Sequence, residues 1–370
     1  MKILYALAVI SGTCIGVGFF ALPYLTFKVG FWIMLGYFVL LGGLAILIHL
    51  LFGKLALKTP DFKRMPGFAR IYLGAWGQKI SYVSTITGII GALLAYLIVG
   101  SDFLAELLIP VLGGNSLTYA LLYFAIGTLL IFFGIKAIAK IEFWGIVLFF
   151  IILIFFFFQE KSLLNEANLF SLPDNSFLFL PYGVVLFSLW GATMIPEVEE
   201  MLGEKKKLIL KIIPFAILIP IIIYLFFIYL ILGLTGSETT ESALTGLKGV
   251  LDGKMFSLLL FFGILTTFTS FITLGLTLKK VLHFDLKLGE NLSWLITCFC
   301  PLALFLIGIK SFIGVVSFVG GVMLGIDGIL ILLMYCKMQI KNKSSLIKRF
   351  LVCSLVLVFL FGIICEIIHL

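Results

Sequence analysis

Residues 11–23 read SGTCIGVGFFALP and lie near the middle of the first long apolar stretch of the chain. Three glycines, Gly12, Gly16 and Gly18, occur within seven residues, and each lowers helix propensity by roughly 1 kcal/mol relative to alanine. Pro23 follows the glycines. A glycine cluster at the centre of an apolar helix predicts a local break, because unwound backbone supplies polar groups inside a membrane without charged side chains.

The composition of the whole chain is that of a membrane protein. Of 370 residues, 62% are hydrophobic and 12% are charged, and the mean hydropathy is +1.25. A water-soluble protein of this composition would expose large contiguous apolar patches. A spanning helix needs about 20 apolar residues. We therefore predict an all-α membrane protein with eleven spans, at residues 3–26, 30–53, 80–104, 116–136, 141–158, 178–202, 208–234, 255–282, 292–309, 311–336 and 348–369.

The segments between the spans are too short to bury cores of their own. We therefore predict a single transmembrane domain over residues 1–370. The first apolar stretch is longer than the core of a signal peptide, so we expect it to be retained. The segment 54–79 mixes basic and apolar residues and is expected to lie partly along the membrane interface.

The distribution of basic residues predicts the orientation of the chain. If the amino terminus is cytoplasmic, 21 of the 26 Lys and Arg residues fall in segments inside the cell and five in segments outside. By the positive-inside rule, the amino terminus is cytoplasmic and the carboxyl terminus lies outside a plasma or inner membrane. The net charge of +8 is thereby explained by topology, and no nucleic-acid partner or obligatory protein partner is expected.

A second interruption lies in the sixth predicted span. Residues 188–197 read SLWGATMIPE, and Pro196 removes a backbone donor and disfavours helix at Ile195. The two interruptions are five spans apart. Because five is an odd number, the repeats, approximately residues 1–158 and 178–336, are predicted to be inverted relative to each other. The alternative is that the glycines only allow helices to pack closely.

Two segments resemble the hydroxy and aromatic amino acid permeases. Residues 12–31, GTCIGVGFFALPYLTFKVGF, are similar to the family's first helix, with its pattern G-T-x-I-G-x-G-x-x-A-L-P. Residues 269–276, TSFITLGL, resemble the family's T-S-F-x-x-x-x-L-G-L region less specifically. That family belongs to the amino acid, polyamine and organocation superfamily. The resemblance implies a leucine-transporter-type (LeuT-type) fold of 5+5 inverted repeats plus an extra helix, here residues 348–369.

The resemblance also implies roles for individual residues. The unwound first helix would donate backbone N–H groups to the substrate carboxylate, where the start of the second half-helix carries about half a positive charge. The sixth span would form the opposite wall and side-chain pocket, and Tyr96 of the third span would gate or hydrogen-bond the substrate. The alternatives are that Trp190 only packs and that Tyr96 is a buried side chain bonded to a carbonyl. The predicted substrate-binding residues are Thr13, Gly16, Val17, Gly18, Tyr96, Ser188, Trp190, Gly191 and Thr193.

Two places are candidates for the coupling ion, which is H+ or Na+. The middle of the eighth span carries Thr266, Thr267, Thr269 and Ser270, where this superfamily places the hydroxyl ligands of sodium. The alternative is that these hydroxyls bond back to their own helix. Asp327 lies inside the tenth span and is expected to carry a proton or hold a helix contact, because a buried carboxylate is costly. No other cofactor is expected.

The function predicted from these features is secondary active transport of an amino acid, hydrophobic or aromatic, by alternating access. An enzyme is disfavoured, because the sequence has no HExxH, GxSxG or P-loop motif. The three histidines, His49, His283 and His369, are interpreted as scattered positions near membrane edges. The alternative function is an amino-acid-sensing membrane receptor of the same fold, similar to germination receptors, which binds its ligand without substantial flux.

Overall fold

The computed structural model describes residues 2–60, 63–134, 138–170, 174–340 and 346–369, and this part of the chain contains helices and no strands. The described residues of the first half form seven α-helices. Their bounds are α1 Lys2–Cys14, α2 Leu22–Val29, α3 Phe31–Lys58, α4 Met65–Leu73, α5 Ala75–Leu112, α6 Ser116–Phe133 and α7 Ile138–Glu160.

The second half begins with two short helices and ends with the extra helix. Their bounds are α8 Pro181–Ser188, α9 Ile195–Leu202, α10 Ile209–Thr235, α11 Gly253–Lys280, α12 Glu290–Leu306, α13 Phe312–Phe318, α14 Gly325–Ile340 and α15 Leu346–His369. A π-helical segment, Val319–Leu324, joins α13 to α14, so these two helices continue one another.

The helices account for the predicted spans. Six described segments are long and apolar enough to cross a membrane, and α1 forms a seventh with the segment Val17–Val29 across a bend of 51°. One of the six, Pro181–Glu238, includes α8, α9 and α10, and two further apolar helices, Glu290–Leu306 and Val352–Ile368, are shorter. Within the described residues, each of the eleven predicted spans thus coincides with a helix or a pair of half-helices. The all-α membrane fold is confirmed.

Both predicted interruptions are real breaks. At the first, α1 ends at Cys14, Gly16 is extended with φ −104° and ψ −162°, and a 3₁₀ turn over Val17–Ala21 leads into α2. At the second, α8 ends at Ser188, and helical structure resumes with the short turn Ala192–Met194 before α9. In these breaks the N–H groups of Val17 and Gly191 donate to side chains of other helices and not to a carbonyl of their own helix.

Ion pairs join loops that the sequence predicts to share a side of the membrane. The Arg64 guanidinium lies 3.6 Å from the Asp285 carboxylate, and both residues belong to segments predicted inside. The Lys248 ammonium lies 2.8 Å from the Glu106 carboxylate, at the face predicted outside. These contacts agree with the alternating direction of the spans. Which face is cytoplasmic stays a prediction from the distribution of charge.

The segment between α3 and α5 contains the short amphipathic helix α4. It buries Phe68 and Ala69 and exposes Arg70 and Ile71. The Phe68 ring packs edge-on against Phe52 of α3, with ring centroids 5.1 Å apart. An apolar face on the bundle and a basic residue on the other side suit a helix that lies along the membrane interface.

Glycines let several helices of the bundle approach each other closely. Gly100 of α5 faces the Tyr123 ring of α6, and a β-carbon added at Gly100 would lie 2.5 Å from ring atoms. Tyr123 is 1% exposed, so its ring has little room to move. Gly36 of α3, by contrast, has no neighbouring atom within 4 Å of such a β-carbon.

We expect Gly100→Ala to destabilise the folded protein by roughly 1–3 kcal/mol, because the added methyl group overpacks the α5–α6 contact. The matched substitution Gly36→Ala should leave stability unchanged or raise it by up to about 1 kcal/mol through helix propensity. Thermal unfolding of both variants in the same detergent measures this difference. Equal melting temperatures for the two variants would contradict the packing described for α5 and α6.

Candidate functional site at the two helix breaks

The two breaks lie directly against each other. A β-carbon added at Gly18 would lie 2.6 Å from Ser188 Oγ and 2.7 Å from a ring carbon of Phe187. A β-carbon added at Gly191 would lie 3.0 Å from the Ile10 carbonyl oxygen and 3.2 Å from Cys14 Sγ. The absence of side chains at these two glycines therefore allows the unwound segments to meet.

Tyr224 of α10 joins the two breaks through its hydroxyl group. The Tyr224 Oη lies 2.6 Å from the carbonyl oxygen of Cys14 and 2.8 Å from the carbonyl oxygen of Ser188. Each carbonyl belongs to the last residue of a half-helix. The hydroxyl has one hydrogen and can donate to only one carbonyl at a time. Since Tyr224 is 0% exposed, water does not reach these carbonyls in this conformation.

Tyr96 of α5 occupies the first break. The backbone N–H of Val17 donates a hydrogen bond of 3.1 Å to Tyr96 Oη. A β-carbon added at Gly16 would lie 2.5 Å from the same oxygen. The structure thus brings three of the predicted residues, Gly16, Val17 and Tyr96, into one contact. The Val17 N–H was expected to bind the substrate carboxylate, but in this conformation it donates to the tyrosine hydroxyl.

The predicted residues of the second break divide into two groups. Ser188, Trp190 and Gly191 are buried, whereas Thr193 is exposed and lies outside the closed contact between the breaks. Ser188 Oγ is buried with no hydrogen-bond partner among the described residues. Thr13 of the first break is half-buried, and its hydroxyl donates to the Val9 carbonyl of its own helix.

His49 of α3 holds the second break. Its Nε2 atom accepts a hydrogen bond of 2.9 Å from the N–H of Gly191, and its Nδ1 atom lies 2.6 Å from the Ala45 carbonyl oxygen. The imidazole packs edge-on against the Trp190 ring, with centroids 5.5 Å apart, so Trp190 has a packing contact here. His49 is 0% exposed. It lies inside α3, which continues to Lys58, and its contact with the second break was not foreseen from the sequence.

Aromatic rings pack around the turn that follows the first break. The Phe19 ring stacks on Tyr224 with centroids 6.3 Å apart, and the Phe20 ring meets Phe103 of α5 at 5.1 Å. A small cavity beside these rings has an entirely apolar lining. The lining residues are Phe19, Phe20, Phe149, Ile152, Leu153, Phe156, Phe227, Ile231, Leu244, Leu259 and Phe262.

The hydroxyl groups of α11 bond back to their own helix. Thr266 donates to the Phe262 carbonyl at 3.0 Å, Thr267 donates to the Gly263 carbonyl at 2.8 Å, and Thr269 lies 3.1 Å from the Thr266 carbonyl. This is the arrangement expected for hydroxyl groups in a helix interior. Each hydroxyl oxygen retains lone pairs that can accept a further contact.

The depth of these hydroxyl groups follows from the packing of α11 on α5. Gly263 of α11 faces Phe103 of α5, since a β-carbon there would lie 2.7 Å from the phenylalanine ring. The two helices are antiparallel. Going seven residues forward along α11, from Gly263 to Ser270, covers about 10 Å in the same direction as going seven residues back along α5, from Phe103 to Tyr96. By this register Ser270 lies at the depth of Tyr96 and the first break, and its side chain is half-buried.

Asp327 lies away from the breaks. Its Oδ1 atom is 2.5 Å from Ser84 Oγ of α5, and the residue is 5% exposed. Ser84 precedes Tyr96 by twelve residues, which is about 18 Å along a helix. In this conformation Asp327 makes a contact between α5 and α14, and the structure does not bring it to the other candidate residues.

Two spans broken at their centres and packed against each other within one helical bundle define a LeuT-type membrane transporter. The family model described as the tryptophan/tyrosine permease family matches residues 1–369. The chain belongs to the tryptophan/tyrosine permease family. It is therefore a multi-pass membrane permease. No curated protein sequence matches the chain.

Solved transporter structures share the fold. Mhp1, a nucleobase-cation-symport-1 family transporter in a closed conformation with bromovinylhydantoin bound, matches with a TM-score of 0.71 at 14% identity, over 99% of this chain and 90% of that chain. Mhp1 in an inward-facing conformation matches with a TM-score of 0.68 at 12% identity, over 93% and 78% of the two chains. The crystal structure of MhsT in complex with L-phenylalanine matches with a TM-score of 0.59 at 14% identity, over 99% and 98%. At these identities the likeness concerns the fold.

Sequence reasoning missed two residues that contact the breaks, Tyr224 and His49. Both are polar side chains inside apolar spans, and this signal by itself marks candidates for function. Tyr224 lies near the middle of the predicted span 208–234. His49 lies near the end of the predicted span 30–53, and its position there gave no indication of a contact with the second break.

We expect Tyr224→Phe to loosen the contact between the breaks, because it removes the hydrogen shared by the Cys14 and Ser188 carbonyls. A lost buried hydrogen bond costs roughly 1 kcal/mol, which corresponds to about fivefold more frequent opening. The measurement is the rate at which a maleimide alkylates buried Cys14 in a variant whose other cysteines are replaced by alanine. Tyr229→Phe on the same helix is the control. Equal alkylation rates in the two variants would refute the bridging role.

Proposed function

We propose that this permease carries an aromatic amino acid across the membrane by secondary active transport, and that the substrate backbone binds between the two helix breaks. The contact of the two breaks through Tyr224 carries the proposal, because it gathers, at one buried place, backbone carbonyls and N–H groups that bond side chains of other helices. The family to which the chain belongs, described by tryptophan and tyrosine, supports the choice of an aromatic substrate.

The carboxylate would bind at the first break. Val17 and Gly18 begin the turn that continues into α2, so their N–H groups point toward the gap and carry the positive end of the helix dipole. In the closed conformation the Val17 N–H donates to Tyr96 Oη. An arriving carboxylate would take over that N–H and accept a second hydrogen bond from the tyrosine hydroxyl. Thr13, one turn before Val17, would lie at the edge of this cradle.

The ammonium group would bind the carbonyls at the ends of the half-helices. The Cys14 and Ser188 carbonyl oxygens share the single hydrogen of Tyr224, and the Cys14 carbonyl also accepts a hydrogen bond of 2.8 Å from the Gly16 N–H. Each carbonyl oxygen has a lone pair left for a further donor. A substrate ammonium has three hydrogens and is a stronger donor than a hydroxyl group. It would satisfy both carbonyls at once, which offsets the loss of the closed contact.

The aromatic side chain would enter the second break. Gly191 leaves room where a side chain would otherwise meet Cys14 Sγ, and Ser188 Oγ is a buried oxygen that a substrate hydroxyl or indole N–H can bond. Trp190 supplies an aromatic wall next to His49. Thr193 is exposed here, so it joins the pocket only when α9 moves. MhsT, a structure of the same fold, is in complex with L-phenylalanine.

Alternating access would follow from rocking of the first, second, sixth and seventh spans, α1–α3 and α8–α10, against a scaffold that includes α5, α6, α11 and α12. We propose the inverted repeats as approximately residues 1–158 and 178–336, with the amino terminus in the cytoplasm as the basic residues predict. The driving ion is H+ or Na+. The hydroxyl groups of α11 lie at the depth of the first break and suit Na+. Asp327 would have to act from about 18 Å away along α5.

The test is uptake of radiolabelled tryptophan, tyrosine, phenylalanine, leucine, serine and alanine into proteoliposomes, under a proton gradient, a sodium gradient or neither. We expect concentrative uptake of the aromatic amino acids under one of the gradients. Gly18→Leu should abolish it, because the new side chain would enter the space of Ser188 and Phe187. Gly43→Leu in α3, where an added β-carbon meets nothing within 4 Å, is the matched control and should transport normally.

The pattern of uptake distinguishes transport of aromatic amino acids from transport of small ones and from a sensing function. Uptake of serine or alanine in preference to the aromatic amino acids would overturn the substrate class. Saturable binding without flux under any gradient would overturn transport and identify an amino-acid-sensing receptor of the same fold.

A further inference from the structure

The segment that joins α3 to α5 is strongly basic. Residues 54–79 include six basic residues and one acidic residue, Asp61. The basic residues are Lys54, Lys58, Lys63, Arg64, Arg70 and Lys79. Residues 197–207, at the end of the sixth predicted span on the same side of the membrane, include three lysines and four glutamates and are nearly neutral. The excess of positive charge is therefore not shared by every segment of that side.

Four of the basic side chains are exposed, and they belong to Lys54, Lys58, Arg70 and Lys79. Among the described residues, none of these four forms an ion pair. The half-buried Arg64, by contrast, has its guanidinium 3.6 Å from the Asp285 carboxylate. The four exposed charges can therefore meet a negatively charged partner from outside the described protein.

Exposed apolar side chains lie among these charges. On α5, Trp76 and Ile80 are 51% and 41% exposed. Together with Lys79 they follow the i, i+3, i+4 spacing of neighbours on one helix face. On α4, Ile71 is 51% exposed and directly follows Arg70. Basic, tryptophan and aliphatic side chains on one surface are typical of the membrane–water interface, where the indole ring lies at the level of the lipid headgroups.

The turn between α4 and α5 brings these groups close together. The Gly74 N–H donates a hydrogen bond of 3.1 Å to the Arg70 carbonyl, and Gly74, with φ +81°, turns the chain from α4 directly into α5. A β-carbon added at Gly77 would collide with Leu73, so the first turn of α5 packs on the last turn of α4. Trp76 therefore lies at the start of α5, next to the turn that Arg70 closes.

The end of α3 belongs to the same corner of the molecule. Thr59 directly follows Lys58, and its hydroxyl oxygen lies 3.0 Å from the hydroxyl oxygen of Tyr72 on α4. Lys54 is exposed one turn before Lys58. We refer to the exposed residues of this place as the basic corner, which comprises Lys54, Lys58, Arg70, Ile71, Trp76, Lys79 and Ile80.

We propose that the basic corner binds an anionic phospholipid. The basic side chains contact the headgroup phosphate, to which the Arg70 guanidinium can donate two parallel hydrogen bonds. Trp76 and Ile80 contact the glycerol region and the acyl chains. A lipid with net negative charge, such as phosphatidylglycerol, is favoured over phosphatidylcholine, because the choline cation offsets the charge of its own phosphate. This site does not depend on the identity of the transported substrate.

The position of the basic corner selects a lipid over a soluble anion. The second predicted span ends at residue 53 and the third begins at residue 80, so the corner lies at the level of the headgroups. A soluble phosphate would meet the charges but would leave Ile71, Trp76 and Ile80 uncovered. A phospholipid covers both kinds of side chain, which suits a surface of mixed composition at the membrane boundary.

The test is a lipid titration followed by native mass spectrometry, which counts the lipid molecules bound to each protein. Three purified proteins are compared: the wild type, the double variant Arg70→Gln with Lys79→Gln, and the double variant Lys205→Gln with Lys207→Gln. The second variant is the matched control, because it also removes two exposed positive charges from the same side of the membrane. Each protein is titrated with dioleoyl phosphatidylglycerol or dioleoyl phosphatidylcholine, in the presence or absence of glycerol 3-phosphate.

We expect the wild type to bind phosphatidylglycerol at least about tenfold more tightly than phosphatidylcholine. The variant of Arg70 and Lys79 should lose about tenfold or more of this affinity, because each basic residue near an anionic surface contributes about fivefold. The control should bind as the wild type does. Equal binding of the two lipids, or equal losses in the two variants, would overturn the proposal. Displacement of the lipid by an equal concentration of glycerol 3-phosphate would identify a soluble-anion site and would overturn it too.

A second measurement uses the wild type alone and decides the proposal if the variants do not fold. Thermal unfolding is followed in nanodiscs of phosphatidylcholine with and without phosphatidylglycerol, at about 50 mM and about 500 mM sodium chloride. We expect a higher melting temperature with phosphatidylglycerol, and a smaller difference at high salt because salt screens the contact. A melting temperature independent of phosphatidylglycerol would overturn the site. Neither measurement requires flux, so failure of the proposed transport function would leave both results valid.

Discussion

Backbone groups released by a broken helix inside a membrane must find partners within the protein, because no water is at hand to supply them. This constraint organises the centre of the permease. The carbonyls of Cys14 and Ser188 share the hydroxyl of Tyr224, the N–H of Val17 donates to Tyr96, and the N–H of Gly191 donates to His49. Each partner comes from a different unbroken helix, so α3, α5 and α10 together hold the two breaks closed.

The same arrangement explains how such a site can be closed without a substrate and still bind one. In the proposed binding mode, substrate groups replace the two tyrosine partners: a carboxylate replaces the Tyr96 hydroxyl at Val17, and an ammonium replaces the Tyr224 hydroxyl at the two carbonyls. Binding then exchanges one set of hydrogen bonds for another of similar strength, and the net free energy is small compared with the individual bonds. A small net change suits a transporter, which must release what it binds.

The polar side chains inside the spans differ in their relation to the breaks. Tyr96, Tyr224 and His49 touch unwound backbone. Asp327 instead bonds Ser84 and connects α14 to α5 well away from the breaks. The threonines of α11 satisfy their own helix. Burial of a polar residue in a span is therefore a guide to function only when its partner is known, since a helix contact and a binding group look alike in sequence.

The sequence by itself determined the number and order of the spans, the positions of both breaks and the family pattern of residues 12–31, because apolar length and the glycine and proline content act locally along the chain. It also singled out Gly16, Val17 and Tyr96, which the fold brings together. Only the tertiary structure decided that His49 and Tyr224 reach the breaks, that Thr193 turns away and that Asp327 is remote. The physical reason is that a helix apolar on nearly every face does not encode its own rotation or depth. Contacts between residues as far apart as Cys14 and Tyr224 are set by the packing of whole helices.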